Sequence, residues 1–296
     1  MSFKVFLALL FSMVFWSFSF VWTKVAFESF PPMTLVLARL VISSVLLVVI
    51  LLMTKQFQKL QWHDLKYFLL LAFFEPFLYF VGESHGLKLV SSTMGAVVIA
   101  TIPVFSPIAG YLFFREKLTW SNLLAIVFSF AGVLLIVFES DFSLKVPIAG
   151  LLLLFLAVFS AIGYATVLKK IPSSYNAFNV IMYQNMIGAL YFIPVFFIFD
   201  YHSFSVSSVT QSSLQALLML AVFASTLAFI LFTFGVRQVG VVRANIWVNT
   251  IPVFTAIISW MVLDEVLTVQ KMVGIFVVVG GVMLSQIKRK TGVVND

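Results

Sequence analysis

The pentapeptide Thr101-Ile102-Pro103-Val104-Phe105 recurs as Thr250-Ile251-Pro252-Val253-Phe254, 149 residues later in a chain of 296. In the same register Gly86 pairs with Gly235, Glu116 with Glu265, Thr119 with Thr268 and Gly132 with Gly281. Residues 86–135 and 235–284 share 15 identities over fifty positions. A shift of half the chain is a tandem duplication, so the fold must be two copies of one unit.

The solvent of that unit follows from its charge. Only 10% of the residues are charged and 62% are hydrophobic, against about 25% charged in an average soluble domain. So few charges cannot wet a water-facing surface, and lipid must be the main solvent. A membrane helix needs about 20 predominantly apolar residues. Ten stretches meet that expectation: 4–23, 32–53, 67–86, 92–114, 119–138, 147–168, 177–199, 213–235, 242–263 and 270–287. Barrel strands would show alternation over about ten residues, which these runs lack. The first run has no small-residue cleavage site after it, so it reads as a retained span rather than a signal peptide. With no cysteine in the chain, disulfides, thiolate metal sites and cysteine nucleophiles are excluded.

The net charge of +7 is not a nucleic-acid footprint, because its distribution follows the membrane. With the N-terminus inside, thirteen Lys and Arg residues fall on the inner face. Four (Lys24, Lys88, Lys145 and Lys271) fall on the outer face, and Arg39 lies within a span. That bias orients both termini to the cytoplasm. The basic end of the chain then reads as a topology anchor with contact to anionic lipid. Five spans per copy is an odd number, so the second copy enters the membrane inverted. The expected fold is an all-α membrane protein of ten transmembrane helices in two inverted five-helix repeats. Residues 1–142 and 143–290 are the copies, and 291–296 are a cytoplasmic tail. Inverted repeats recur in secondary transporters, because one packing energy then serves two mirror-related states.

Pro103 with Glu116 and Pro252 with Glu265 give each copy the same Pro-then-Glu pattern. The first span carries Trp16-Ser-Phe-Ser-Phe-Val-Trp-Thr-Lys24, and the second opens with Pro32 ahead of Arg39. With the ten spans and the duplication, these features resemble the EamA-type members of the drug/metabolite transporter superfamily over essentially the whole chain. The resemblance implies a central cavity lined by helices from both halves and alternately open to each side. It also implies a small-molecule substrate (metabolite, amino acid, sugar or drug) and a bacterial inner membrane.

Polar residues inside a span are expensive and usually face a cavity or a partner. Glu75, Tyr79 and Glu83 follow at i+4 steps along one face of the third span. A carboxyl group in a poorly solvated cavity can exchange protons near neutral pH. Glu75 or Glu83 is therefore the candidate for a coupling proton or for a cationic substrate group. His85, at the outer end of the span, reads equally as a local hydrogen-bonding residue. Pro76 removes a backbone hydrogen bond next to Glu75, either as a hinge at a site or as a packing kink. Arg39, about 10 Å into its span, calls for a carboxylate partner, Glu75 or Glu83, unless it contacts an anionic substrate.

The duplication also exposes divergence. Ala96 and Ala100 of the first copy correspond to Asn245 and Asn249 of the second, one turn apart and so on one face. Either they line the cavity or they bond neighbouring helices. A weaker alignment of spans one and two with six and seven sets Gln184 opposite Arg39. Of the run Tyr183-Gln184-Asn185, Gln184 is the cavity candidate. Trp16 either stacks on substrate or packs. Trp247 reads as lipid- or packing-facing. Pro103, Pro107 and Pro252 read as hinges, Glu116 and Glu265 as holders of loop geometry. Ala125, Gly132, Gly274, Gly280 and Gly281 read as a helix-packing seam, within the chain or in a homodimer.

No phosphate-binding G-x-x-x-x-G-K-[ST] loop and no H-E-x-x-H occur, and His63, His85 and His202 are dispersed. ATP, cofactors and a metal centre are therefore not expected, nor is enzyme activity. The expectation is export of a small metabolite, amino acid or drug-like compound by alternating access in exchange for protons. A uniporter of the same fold is the main alternative. An intramembrane enzyme on lipid-linked substrates, or a scaffold without flux, are the readings from other classes.

Overall fold

The computed structural model describes residues 2–114, 120–137, 146–168, 170–239 and 247–285. Among them every regular element is helical. The helices are α1 (Phe3–Ala26), α2 (Pro32–Met53), α3 (Trp62–Leu89), α4 in two pieces (Ser92–Ile99 and Ile102–Phe114) and α5 (Trp120–Val137). The second half supplies α6 (Ile148–Leu168), α7 (Ala177–Asp200), α8 (Gln211–Gly235), α9 (Ile251–Leu263) and α10 (Val269–Ser285). Six of these, α1, α2, α3, α6, α7 and α8, are long and apolar enough to cross a membrane. The apolar stretches of α4, α5, α9 and α10 are shorter, at 10–17 described residues. Helix α4 breaks at Ala100–Thr101, just before Pro103.

Side chains sort by solvent. On α2, Val41, Val45, Val49 and Leu52 are exposed while Arg39, Ser43, Leu47 and Leu51 are buried. The outward stripe is as apolar as the inward one, as expected where lipid rather than water surrounds the bundle. The most enclosed element is the first piece of α4, all eight residues of which are buried.

Helix α1 shows that the copies run in opposite senses. Ser92, at the start of α4, donates its hydroxyl to the Phe20 carbonyl near the C-terminal end of α1 (3.2 Å). Trp247, which precedes α9, packs instead edge-on against Phe6 near the N-terminal end (5.1 Å between rings). Equivalent helices therefore begin at opposite ends of the same neighbour.

Both ends of the bundle are stitched by polar contacts between the halves. At the end of the bundle where α2 finishes, Asn179 of α7 accepts from Gln58 N (2.9 Å) and donates to the Gln56 carbonyl (2.9 Å). Beside it the Tyr175 hydroxyl donates to Asp64 (2.8 Å). At the opposite end Asp200 accepts from the Thr34 backbone N–H (2.7 Å) and hydroxyl (3.0 Å), capping the start of α2. Glu265, beyond α9, likewise accepts from Ser92 N (2.7 Å), Thr93 N (3.4 Å) and the Thr93 hydroxyl (2.8 Å). A carboxylate at a helix N-terminus satisfies amides that the helix itself leaves unpaired. Glu265 thus holds loop geometry between the two halves, whereas Glu116 lies outside the described residues.

The glycine seam joins α5 to α10 within the chain. A Cβ on Gly132 would meet Val278 and the Gly274 carbonyl, and one on Gly281 would meet Ser129 and the Ala125 carbonyl. Gly280 has open space instead. Gly132, Gly274 and Gly281 are thus taken up by packing of α5 on α10 within the chain.

Candidate functional site

After a tight 3-10 turn at Trp62–Asp64, helix α3 is interrupted over Phe73–Leu78, where the turn widens and Glu75 leaves helical geometry altogether (φ −143°, ψ 119°). Proline at 76 has no N–H to continue the ladder, which is why the disruption falls there. The disturbed turn is gripped by neighbours. A Cβ on Gly188 of α7 would collide with the Pro76 ring and touch Leu40 of α2, and one on Gly163 of α6 would collide with the Phe74 ring. Glycine at these positions lets α6 and α7 close on α3 at the level of Glu75.

Glu75 is partly exposed although protein surrounds it, and it has no hydrogen-bond partner among the described residues. The ionisable groups within its electrostatic reach are Tyr79 and Glu83 on its own helix and Tyr164 of α6. Two turns along, the Tyr79 hydroxyl donates to Glu83 Oε1 (3.0 Å). The i+4 series predicted from sequence thus holds from Tyr79 to Glu83, but the wide turn sets Glu75 apart.

Arg39 of α2 is buried at 5% exposure. Its Nε donates to the Ser225 hydroxyl of α8 (3.0 Å), and its guanidinium carbon lies 4.4 Å from the centre of the Phe80 ring. Glu83 is the carboxylate within its electrostatic reach, yet the two form no direct ion pair. The expected salt bridge is thus relaxed into a wider cluster, because Phe80 and Ser225 take up the face and edge of the guanidinium. A cation over an aromatic face contributes about 2 kcal/mol when desolvated.

Ser225 and its neighbours are the part that the sequence left unmarked. Helix α8 also widens, over Leu220–Leu227, and insertions of this kind expose backbone carbonyls at functional sites. Ser43 of α2 donates to the Ser225 carbonyl (3.2 Å), shares a hydrogen bond with the Thr226 hydroxyl (2.9 Å) and accepts from Asn185 of α7 (3.1 Å). In the 149-residue register Leu71, Ala72, Phe74, Leu78 and Phe80 recur as Leu220, Ala221, Phe223, Leu227 and Phe229, setting Pro76 against Ser225. That register is the signal that could have found them.

The run at 183–185 separates cleanly. The Tyr183 hydroxyl turns to the loop after α2, donating to the Gln58 carbonyl (2.7 Å) and accepting from Leu60 N (3.0 Å), while Asn185 bonds Ser43. Gln184 is 2% exposed and its Oε1 has no partner. It lies one turn before Gly188 on the same face of α7, the face that meets Pro76 and Leu40.

Asn249 is buried at 4% exposure with neither its Oδ1 nor its Nδ2 partnered. It sits at a break matching that of α4. Thr101 donates its N–H (3.0 Å) and hydroxyl (2.6 Å) to the Val98 carbonyl, and Thr250 repeats this with Trp247 (2.9 and 2.7 Å). Pro103 and Pro252 follow directly, and Pro107 lies inside the second piece of α4. Asn245 lies outside the described residues. Trp16 is half-buried between Phe229 (5.2 Å) and Phe232 (5.1 Å). His85 turns back to the Val81 carbonyl (3.1 Å). A hollow of about 500 Å³ at the α9–α10 turn, lined by Trp260 and Asp264–Leu267, includes none of these residues.

The EamA-like transporter family matches residues 3–138 and again 148–286. The chain belongs to that family. Its relatives include the uncharacterized transporter YetK of Bacillus subtilis, 28% identical over 254 residues, 85% of this chain and 77% of that protein. An uncharacterized transporter of Archaeoglobus fulgidus is 25% identical over 288 residues, 97% of this chain and all of that one. A solved crystal structure at 14% identity superimposes with a TM-score of 0.69 over 96% of this chain and 97% of its own, which shows the shared fold. The chain is a multi-pass membrane transporter and not an enzyme.

Proposed function

We propose that this EamA transporter moves a small solute by alternating access and exchanges it for protons at Glu75. The observation that carries this reading is a partly exposed carboxylate with no hydrogen-bond partner among the described residues, at a break in α3 within a lipid-facing bundle. A buried carboxylate without hydrogen bonds is costly in its charged form, so solvent access from either side favours taking up and losing a proton. The ionisable groups facing it from the elements around it are Glu83 and Tyr79 of α3 and Tyr164 of α6. Arg39, with Ser225, Phe80 and Glu83, fixes the cluster's charge rather than titrating. The matched breaks before Pro103 and Pro252 support α4 and α9 as the elements that bend, since a broken helix costs little more when its angle changes.

In this reading residues 1–142 and 143–290 are the two copies. The excess of Lys and Arg on one face supports cytoplasmic termini, and in this reading the membrane is a bacterial inner membrane and transport runs outward. The test is uptake of a metabolite and amino-acid panel into proteoliposomes, with and without an imposed pH gradient. Flux that follows the gradient in the parent but not in Glu75→Gln supports proton exchange. Gradient-indifferent flux in both would establish a uniporter instead.

A further inference from the structure

We infer that Glu265 is a releasable latch. It clamps the end of α9 to the start of α4 while the outer face is closed, and lets go each time that face opens. The inference rests on the alternating-access reading and on the proposed orientation. Helix α9 stops at Leu263, Asp264 turns the chain through the left-handed region (φ 53°), and the Glu265 N–H returns to the Ser259 carbonyl (3.2 Å). Asp tolerates that conformation better than most side chains. The turn sets the Glu265 carboxylate on the other copy, where it accepts from Ser92 N, Thr93 N and the Thr93 hydroxyl. Ser91 takes the next amide, Met94 N (3.2 Å). The start of α4 is therefore capped once by its own copy and once by the other.

Its placement separates this contact from a fixed joint. Helices α2 and α7 are tied at both ends, by Asp200 on Thr34 at one and by Asn179 on the Gln56 and Gln58 backbone at the other, so that pair is held at either face. Glu265 instead joins α4 to α9, the two helices broken ahead of proline. The contact is also reversible. Glu265 is only part-buried, and although Lys24 of α1 lies within its electrostatic reach, the two form no direct ion pair. On release water can take over the carboxylate and the uncovered amides, so no buried charge is stranded. The end of α9 has room to withdraw. Met261, Val262 and Val266 are exposed, and the hollow of about 500 Å³ lies beside them, whereas the first piece of α4 is buried throughout. Loosely packed segments of this kind move at least cost. Finally, the latch is one-sided. In the repeat register Ser92 and Thr93 match Val241 and Val242, which carry no hydroxyl, so the Thr93 contact has no equivalent in the sequence of the other copy. The outer-closed state is favoured accordingly.

The chain contains no cysteine, so introduced pairs can be spin-labelled without background and their distances read by pulsed electron resonance on the full-length protein in lipid nanodiscs. Leu89→Cys with Val269→Cys, both exposed, spans the latch. Glu28→Cys with His202→Cys, also exposed, spans the α2–α7 joint. The parent should show mainly the short distance at the latch pair. Glu265→Ala should raise the ratio of long to short distances at least about fivefold, since it removes hydrogen bonds to a charged group. Thr93→Val, close in shape and lacking only the hydroxyl, should raise it about twofold, and the second pair should stay fixed in every case. Thr93→Val keeps the Ser91 cap and the carboxylate, so it carries the test by itself should Glu265→Ala fail to fold. Latch-pair distances that do not change in the folded variants, or equal lengthening of both pairs, would overturn the inference. Unchanged distances beside normal solute flux in proteoliposomes would sink the latch and leave the transporter reading intact. A latch that opens in a chain moving no solute would do the reverse.

Discussion

The two halves have kept the same backbone disruptions and parted in chemistry. Helices α3 and α8 widen at matching positions, over Phe73–Leu78 and Leu220–Leu227, and the chain breaks at Thr101 and at Thr250 with the same pair of hydrogen bonds. Glu75, Tyr79 and Glu83, however, face Ala224, Ala228 and Phe232 in the repeat register, and Ala100 faces Asn249, while the weaker alignment of spans one and two with six and seven sets Arg39 against Gln184. Under the proposed alternating access, matched breaks in the two halves serve both open states, and the charges of one half mark a single candidate site.

Breaking that division at its charged end should have the largest effect. Glu83→Leu leaves Arg39 without its carboxylate field in a dry interior, and losing one member of a buried charge cluster typically costs about 3–5 kcal/mol. Thermal unfolding of the detergent-solubilised variant should shift down sharply. An unchanged transition would mean that Ser225 and Phe80 suffice for Arg39. Next in size is Gly188→Leu, which drives a side chain into Pro76 and should cost about 1–3 kcal/mol by overpacking. Gly280→Ala, with open space around it, is the matched control and should leave the melting curve in place. Equal losses in the two would show that the contact at Pro76 is soft.

Asn249→Ala makes the second copy resemble the first. Removing a buried amide whose polar atoms are unpaired should hold stability or raise it by about 1–3 kcal/mol, while reducing transport if Asn249 faces the moving solute. The reciprocal Ala100→Asn should destabilise by a similar amount, and a melting series over both variants checks the pair. Loss of stability in Asn249→Ala would point to a structural partner for the amide. The smallest effect belongs to His85→Gln. Its ring contacts only the carbonyl one turn back, so flux and its pH response should stay within twofold of the parent.

Much of the candidate site was legible because intramembrane polarity is rare enough to stand out. Glu75, Glu83 and Arg39 could be picked from an apolar background, and the repeat marked Asn249 against Ala100. Ser43, Ser225 and Thr226 were not legible, since single hydroxyls are common in membrane helices and bond their own backbone as readily as a neighbour. Among Tyr183, Gln184 and Asn185 the sequence offered only the weak alignment with Arg39 to favour Gln184, and it gave no partner for any of the three. Three consecutive side chains point about 100° apart on a helix, and which of them meets water, loop or neighbour depends on what packs around it.

Composition alone dictated a lipid-solvated helical bundle, and the 149-residue repeat with five spans per copy dictated inversion, because both follow from one-dimensional periodicity and from the bilayer's thickness. The tertiary structure decided that Arg39 rests on Ser225 and Phe80 instead of gripping a carboxylate, that Glu75 stands apart from Tyr79 and Glu83, and that the glycine seam closes α5 on α10 inside one chain. Those outcomes turn on differences of an ångström or two between helices that are distant in sequence. The physics that sets them, competition among packing, desolvation and hydrogen bonding at a three-dimensional contact, leaves no periodic trace along the chain.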